Sequence, residues 1–247
     1  VCIQRAGARI AQQVARGDQR PGRHDGQLVR QRRQARLHGL IVGNRTQQQD
    51  YVRDIRRSST DLKTIIDAII DLTAIDAGAL ELKLEHVDVT VLLESVAEKL
   101  ASQIDDRDLT LNIEMGADVS SFIADPKRVE QILSNLLSNA IGFSDRGATI
   151  RMGAKAARGQ LQLWVSDQGR GIEPEFQKQA FDRFQSRPVP GGHRGPGLGL
   201  AIVKSFVELH EGQVSLLSKI NQGTTVLCSF PLDGPGAAQR ADVRKSA

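Results

Sequence analysis

The chain has 247 residues, 40% hydrophobic and 25% charged. That is room for one large domain or two small ones at ordinary globular usage, and it excludes a collagen-like or wholly disordered chain. The net charge of +4 is unevenly spread: residues 1–45 hold ten arginines, no lysine and two acids (Asp18, Asp25), a net +8, and the rest of the chain nets −4.

No stretch offers the ~18 uninterrupted apolar residues of a membrane-spanning helix; even Ile65–Ile70 is broken by Asp67. The arginines near the start have no apolar run behind them, so no secretory leader is expected. Cys2 and Cys228 are too far apart for a metal or redox motif. A reducing, cytoplasmic setting is therefore the default, with a membrane-associated parent protein left open.

Residues 1–45 form an atypical Arg-rich segment with weak periodicity. Six glycines fall within 1–44, and each costs about 1 kcal/mol relative to alanine inside a helix. A long helix is not expected there. The arginines have no aromatic residue among them for base stacking, so nucleic-acid binding is not expected either. Arginine without lysine, with abundant Gln, Ala and Gly, would suit an out-of-frame or mis-started reading of a GC-rich gene. The pattern returns abruptly at Thr46.

From 46 to about 77, Ile55, Leu62, Ile65, Ile69 and Leu72 fall on a and d positions of a heptad, widened by Ile66 and Ile70. Charges fill the other faces, and Gly78 supplies the stop. A helix this long with so narrow a stripe wants helical partners, in a hairpin or a dimeric bundle.

Leu80, Leu82 and Leu84 alternate with charged residues, the period of a half-buried strand. Helical spacing follows over 90–104, then short strands at 109–113 and 119–124. Asp125-Pro126 is a capped helix start, and Val129, Ile132, Leu133, Leu136, Leu137 and Ala140 turn inward behind it. Strands over 148–154 and 160–166 flank an Arg158-Gly159 turn. A glycine-rich turn, a short helix near 173–181, a Gly/Pro/Arg-rich loop at 185–196, a helix over 198–210 and a last hairpin (213–217, 224–230) complete the pattern. Residues 233–247 read as a loose tail. The fold class is α+β: a two-layer sandwich over about 79–232, its sheet mostly antiparallel, preceded by a long helix.

Four elements carry the chemistry. They are Asn135-Leu-Leu-Ser-Asn139-Ala140, Asp167-Gln-Gly169-Arg-Gly171, Phe181-Asp-Arg-Phe184 and Gly195-Pro-Gly197-Leu-Gly199-Leu200. The last is neither a dinucleotide fingerprint, for want of the preceding strand and spacing, nor a Walker loop, for want of Lys-Ser/Thr. Taken in order, the four resemble the N, G1, F and G2 boxes of the histidine-kinase ATP-binding domain, in the superfamily shared with the Hsp90 and MutL ATPases. The helix at 46–78, the Ala77–Leu82 run and Asp88-Val89 resemble the second half of the dimerisation hairpin and its joint to that domain.

The resemblance implies the Bergerat ATP-binding fold, with helices on one sheet face, and ATP and Mg²⁺ as cofactors. It also implies a homodimer through 46–78 and a response-regulator receiver domain as partner. Asn135 and Asn139 share one helix face, and the Asn139 amide oxygen would ligate Mg²⁺. Phe143 stands where the family puts an aromatic against the base. Asp167 would accept from the adenine amino group, Gly169 and Gly171 would admit close backbone approach, and Ile172 would wall the pocket. Gly195, Gly197, Leu198, Gly199 and Leu200 open a helix whose free N–H groups suit phosphate. The preceding loop, with Arg187, His193 and Arg194, resembles the family's mobile lid; its arginines and Arg183 are candidates for pairing with phosphate.

Two departures stand out. Gly142 replaces a lysine that the family commonly places before the aromatic. The His-Glu/Asp-x-x-Thr/Ser-Pro hexamer of the phosphoacceptor is absent; His24-Asp25 is the only His–acid pair ahead of the long helix, so His24 is the candidate, while His38, His86 and His210 lack the context. In relatives that hydrolyse ATP with water a Glu is the general base; here the matching position is Asn135. The expected activity is ATP-dependent phosphorylation of a histidine for relay to an aspartate, the alternative an ATP-sensing pseudokinase.

Overall fold

A computed structural model describes residues 51, 52, 55, 58–60, 62–117, 119–185 and 197–236. The chain divides into two compact units, 1–59 and 60–247. In the first unit the described residues are helical, with Tyr51, Val52 and Ile55 exposed. The second unit holds everything described below.

Helix α1 spans 62–76. Its end is a Schellman stop: Gly78 takes φ +64°, its N–H donates to the Ile75 carbonyl, and the Ala79 N–H reaches back to Ala74. Glycine suits this left-handed position because it has no Cβ to clash. The apolar residues of α1 divide between two faces. Ala68 and Leu72 are buried and Ile65 and Ile75 pack on the domain core, while Leu62, Ile66, Ile69 and Ile70 stay 41–58% exposed.

The alternating run 80–84, expected as a strand, forms no regular element. Leu80 and Leu82 are half-buried, yet the Lys83 N–H donates to the Asp125 carboxylate at 3.0 Å instead of to a ladder. The strand begins afterwards: β1 (Glu85–Asp88) pairs antiparallel with β3 (Ser121–Ala124). Asp88 then caps α2 (Val89–Asp105) by accepting from the Val91 N–H, and the helix buries Val89, Leu92, Leu93, Val96, Leu100 and Ile104. β2 (Thr110–Met115) follows.

Helix α3 (Pro126–Phe143) starts as its sequence dictates, with Asp125 accepting from the Arg128 N–H and Pro126 at the first helical position. It buries Val129, Ile132, Leu133, Leu136, Leu137, Ala140 and Ile141. β4 (Thr149–Ala157) and β5 (Gln160–Ser166) turn through Arg158 and Gly159, both at positive φ, the geometry that matches strand twist in a two-residue hairpin. The short helix expected at 173–181 is only one turn, α4 (Pro174–Gln177), followed by turns. α5 (Gly199–Leu209), β6 (Gln213–Lys219) and β7 (Gly223–Pro231) complete the unit.

The main sheet has the order β2-β4-β5-β7-β6, parallel only between β2 and β4. One face of it, with Met152, Ala154, Leu163, Val165, Val226 and Cys228, joins the helices in one apolar core. On the other face the Trp164 indole lies over Gly153, where a Cβ would run into its ring. The α+β sandwich with a mixed, mostly antiparallel sheet is as expected.

Polar bonds tie the helices together beneath the sheet's end. His210, fully buried just after α5, accepts from the Asp125 N–H at its Nε2 (3.1 Å), so its proton sits on Nδ1 and donates to the Phe206 carbonyl (2.7 Å). Arg128 lies 5.0 Å over the Phe206 ring and pairs with Asp71 of α1 at 2.9 Å; Gln131 donates to the other Asp71 oxygen. Among the described residues no helix is long and apolar enough to cross a membrane.

Candidate functional site

Asp167 follows β5 directly, and its half-buried side chain is held from two sides. Its Oδ1 accepts the Gly169 N–H at 2.8 Å and the Thr224 N–H at 3.2 Å. Both of these bonds fall on Oδ1, which leaves Oδ2 as the acceptor for a ligand donor. Burial pushes the Asp167 carboxyl above its ordinary range, against the pull of the backbone N–H groups of Gly169 and Thr224.

The glycines around it are bare for lack of space. A Cβ on Gly169 would meet the Phe143 carbonyl, one on Gly171 (φ +69°) the Lys219 carbonyl. The Ile172 N–H donates to Ser218 Oγ at 2.8 Å, and the Gln177 amide bridges the Ile172 and Ser218 carbonyls. The wall at Ile172 is thereby pinned to β6. Phe143, the last residue of α3, is 41% exposed with the Arg170 guanidinium 5.1 Å over its ring.

At the other end, Asn139 and Asn135 lie one turn apart on α3. A Cβ built on Gly199, the first residue of α5, would stand 3.7 Å from Asn139 Nδ2 and 4.0 Å from its Oδ1. The start of α5 has no side-chain cap and no acid in its first turn; its N–H groups and dipole are open to an anion. Among the described residues Asn135 Nδ2 is buried without a partner. Leu198 is buried in the core and Leu200 packs against it, so these two brace the helix. Gly197, at φ +73°, lies on the backbone of Phe184 and Gln185.

The structure therefore brings Asn139, Gly197 and Gly199 together, and Asp167, Gly169, Gly171, Ile172 and Phe143 together, with α3 spanning both groups. Arg183 is not among them: it forms a bidentate pair with Asp76 of α1, both contacts 2.7 Å. His24, Gly195, Arg187, His193 and Arg194 lie outside the described residues.

Sequence reasoning missed Ser218, Gly223 and Thr224. Gly223 (φ +97°) has the Asp167 carbonyl where a Cβ would be, and the Ser218 hydroxyl donates to the Gly223 carbonyl at 3.0 Å. The signal was the Gly-Thr-Thr opening of β7, read there only as a hairpin.

The pocket fits a nucleotide and its metal by chemistry. One carboxylate oxygen of Asp167 is left for a purine donor, and the uncapped start of α5 beside the Asn139 amide suits a charged tail. Among the described residues no group of three or more His, Cys, Asp or Glu could hold a metal alone. A Mg²⁺ at this site would rest on the Asn139 amide oxygen together with phosphate oxygens, as suits a hard cation.

A half-buried carboxylate in a glycine turn, an asparagine-bearing helix and an uncapped, glycine-opened helix start on a mixed α+β sheet are the features of an ATP-binding ATPase domain. Residues 124–234 match the family described as histidine kinase-, DNA gyrase B-, and HSP90-like ATPases, and with the relatives below this supports a histidine-kinase ATP-binding catalytic domain. It is 38% identical over 191 residues to the sensor protein DivL of Caulobacter vibrioides, across 77% of this chain and 24% of that protein. It is 35% identical over 196 residues to an uncharacterized sensor-like histidine kinase of Rhizobium meliloti, 78% and 37% respectively. Full-length ShkA, solved in complex with AMPPNP, superposes with a TM-score of 0.66 at 27% identity, over 76% of this chain and 39% of that one. The chain thus spans about a quarter to two fifths of the length of these relatives.

Proposed function

We propose that this chain is the core of a sensor histidine kinase that binds Mg-ATP and transfers the γ-phosphoryl group to a histidine, for relay to the aspartate of a response-regulator receiver domain. The observation that carries this reading is the approach of the Asn139 amide to Gly199 at the uncapped start of α5. Residues 46–78 are assigned to the dimerisation hairpin, 79–232 to the ATP-binding domain, 1–45 to an atypical leading segment and 233–247 to a tail. The exposed Leu62, Ile66, Ile69 and Ile70 suit a second copy packed along α1.

Bound Mg²⁺ supplies charge neutralisation on the phosphates. Asp167 Oδ2 would accept from the purine amine, Ile172 and Phe143 would flank the base, and the first N–H groups of α5 would hold phosphate oxygens. Asn135 is no general base, since its amide cannot take up a proton. Hydrolysis by water should then be slow, and transfer would depend on positioning an imidazole nucleophile in line.

Replacing Asn139 with alanine is expected to remove the Mg²⁺ dependence of nucleotide affinity. Titration of an ATP analogue with and without Mg²⁺ checks this, and unaltered metal dependence counts against the assignment.

A pseudokinase that senses ATP without passing phosphate on is the second reading. The absence of a His-Glu/Asp-x-x-Thr/Ser-Pro hexamer favours it. Incubation with γ-labelled ATP separates the two: acid-labile label on the protein supports the kinase, and analogue binding without label the pseudokinase. No analogue binding at all sinks both.

A further inference from the structure

Among the described residues, helix α1 is fastened to the ATP-binding domain by two ion pairs of different character. Asp71–Arg128 is mostly buried, its side chains 15% and 18% exposed, and is backed by Gln131 and the Phe206 ring. Asp76–Arg183 is bidentate but open to solvent, with side chains 52% and 44% exposed. A pair in solvent is worth little and yields readily to a better ligand, whereas a buried one does not.

The open pair also has a competitor close by. Arg183 immediately precedes Phe184 and Gln185, whose backbone lies against Gly197 where the chain enters α5. A guanidinium there is within a side chain's reach of an anion bound at the helix start, and a phosphate accepts its fork as well as a carboxylate does.

We propose that Asp76 is a releasable latch on Arg183: its carboxylate takes the place of nucleotide phosphate, so that binding of a triphosphate and seating of α1 at Asp76 oppose each other. This rests on the nucleotide-site reading above. Asp71–Arg128 serves as the fixed pivot, so that release at Asp76 frees the end of α1 without detaching the helix.

The test uses the whole chain and isothermal titration with a non-hydrolysable ATP analogue and with adenosine. Asp76→Asn keeps the shape and removes the charge. It is expected to tighten the analogue roughly two- to fivefold, the range set by an exposed pair, and to leave adenosine unchanged. In an Arg183→Ala background the same substitution should have no effect on the analogue, and salt should narrow the gap between Asp76→Asn and the parent chain.

Equal analogue affinity in the two proteins overturns the latch. So does a gain of the same size for adenosine, or a gain that survives in the Arg183→Ala background. Asp167→Ala, run in parallel, separates the failures: if it too binds the analogue normally, the site assignment itself has failed; if it abolishes binding, only the latch has.

Discussion

Replacing Asp167 with asparagine is expected to abolish binding of an ATP analogue, by at least about a hundredfold, while leaving the fold as stable as before or slightly more so. The asparagine oxygen can keep the bonds from the Gly169 and Thr224 N–H groups that Oδ1 holds now. Its amide nitrogen then stands where Oδ2 was, and turns a donor toward the purine amine. Two buried donors facing each other cost about 1–3 kcal/mol beyond the lost bond, and each 1.4 kcal/mol is a factor of ten.

The stability half of this expectation follows from the carboxyl's raised pKa, whose main cause is burial. A carboxylate that ionises less readily folded than unfolded weighs against the fold at pH above the folded pKa. That burden disappears only as pH falls below the unfolded value. At neutral pH asparagine removes it. Calorimetric titration and thermal melts at pH 7 check both halves; a variant that loses binding and melts far lower would mean that Asp167 is mainly structural.

The second large effect is expected at Arg128, and in stability. Arg128→Ala should destabilise the domain by about 2–4 kcal/mol, because it leaves the Asp71 carboxylate mostly buried without its cation and uncovers the Phe206 ring. Urea unfolding would show it as a lower midpoint at unchanged slope. Asp71→Asn in the same background should recover part of the loss, since no charge is then stranded. An effect below 0.5 kcal/mol would mean that the pair is no more than a surface contact.

Legibility from sequence was high where a local signal and a tertiary demand agreed. Asp125-Pro126, the α3 stripe and the Gly78 stop each carry their own cap or period, and the structure uses each as written. The sequence misled where a local period was satisfied by something else: Leu80–Leu84 alternate, but the Lys83 N–H is taken by Asp125. The α1 stripe was legible as apolar but not as divided, because nothing in a heptad says that Ala68 and Leu72 face the chain's own core.

In the candidate site, Asn139, Asp167 and the glycines could be named from four short boxes. The partners that fix Asp167 and its loop, Ser218, Gly223 and Thr224, lie some fifty residues on, in strands whose pairing no short motif encodes. The position of Arg183 in the F-box makes it a candidate phosphate ligand; a carboxylate 107 residues earlier in the chain claims it in the structure.

The chain's single tryptophan, Trp164, sits on the sheet face away from the helices, over Gly153 and beneath the Lys155 ammonium 5.9 Å off. Its indole therefore lies on the opposite side of β5 from Leu163 and Val165, which face the helices. Tryptophan emission is therefore expected to report whether the sheet is intact and to change little on addition of nucleotide, so that one optical signal follows unfolding separately from binding.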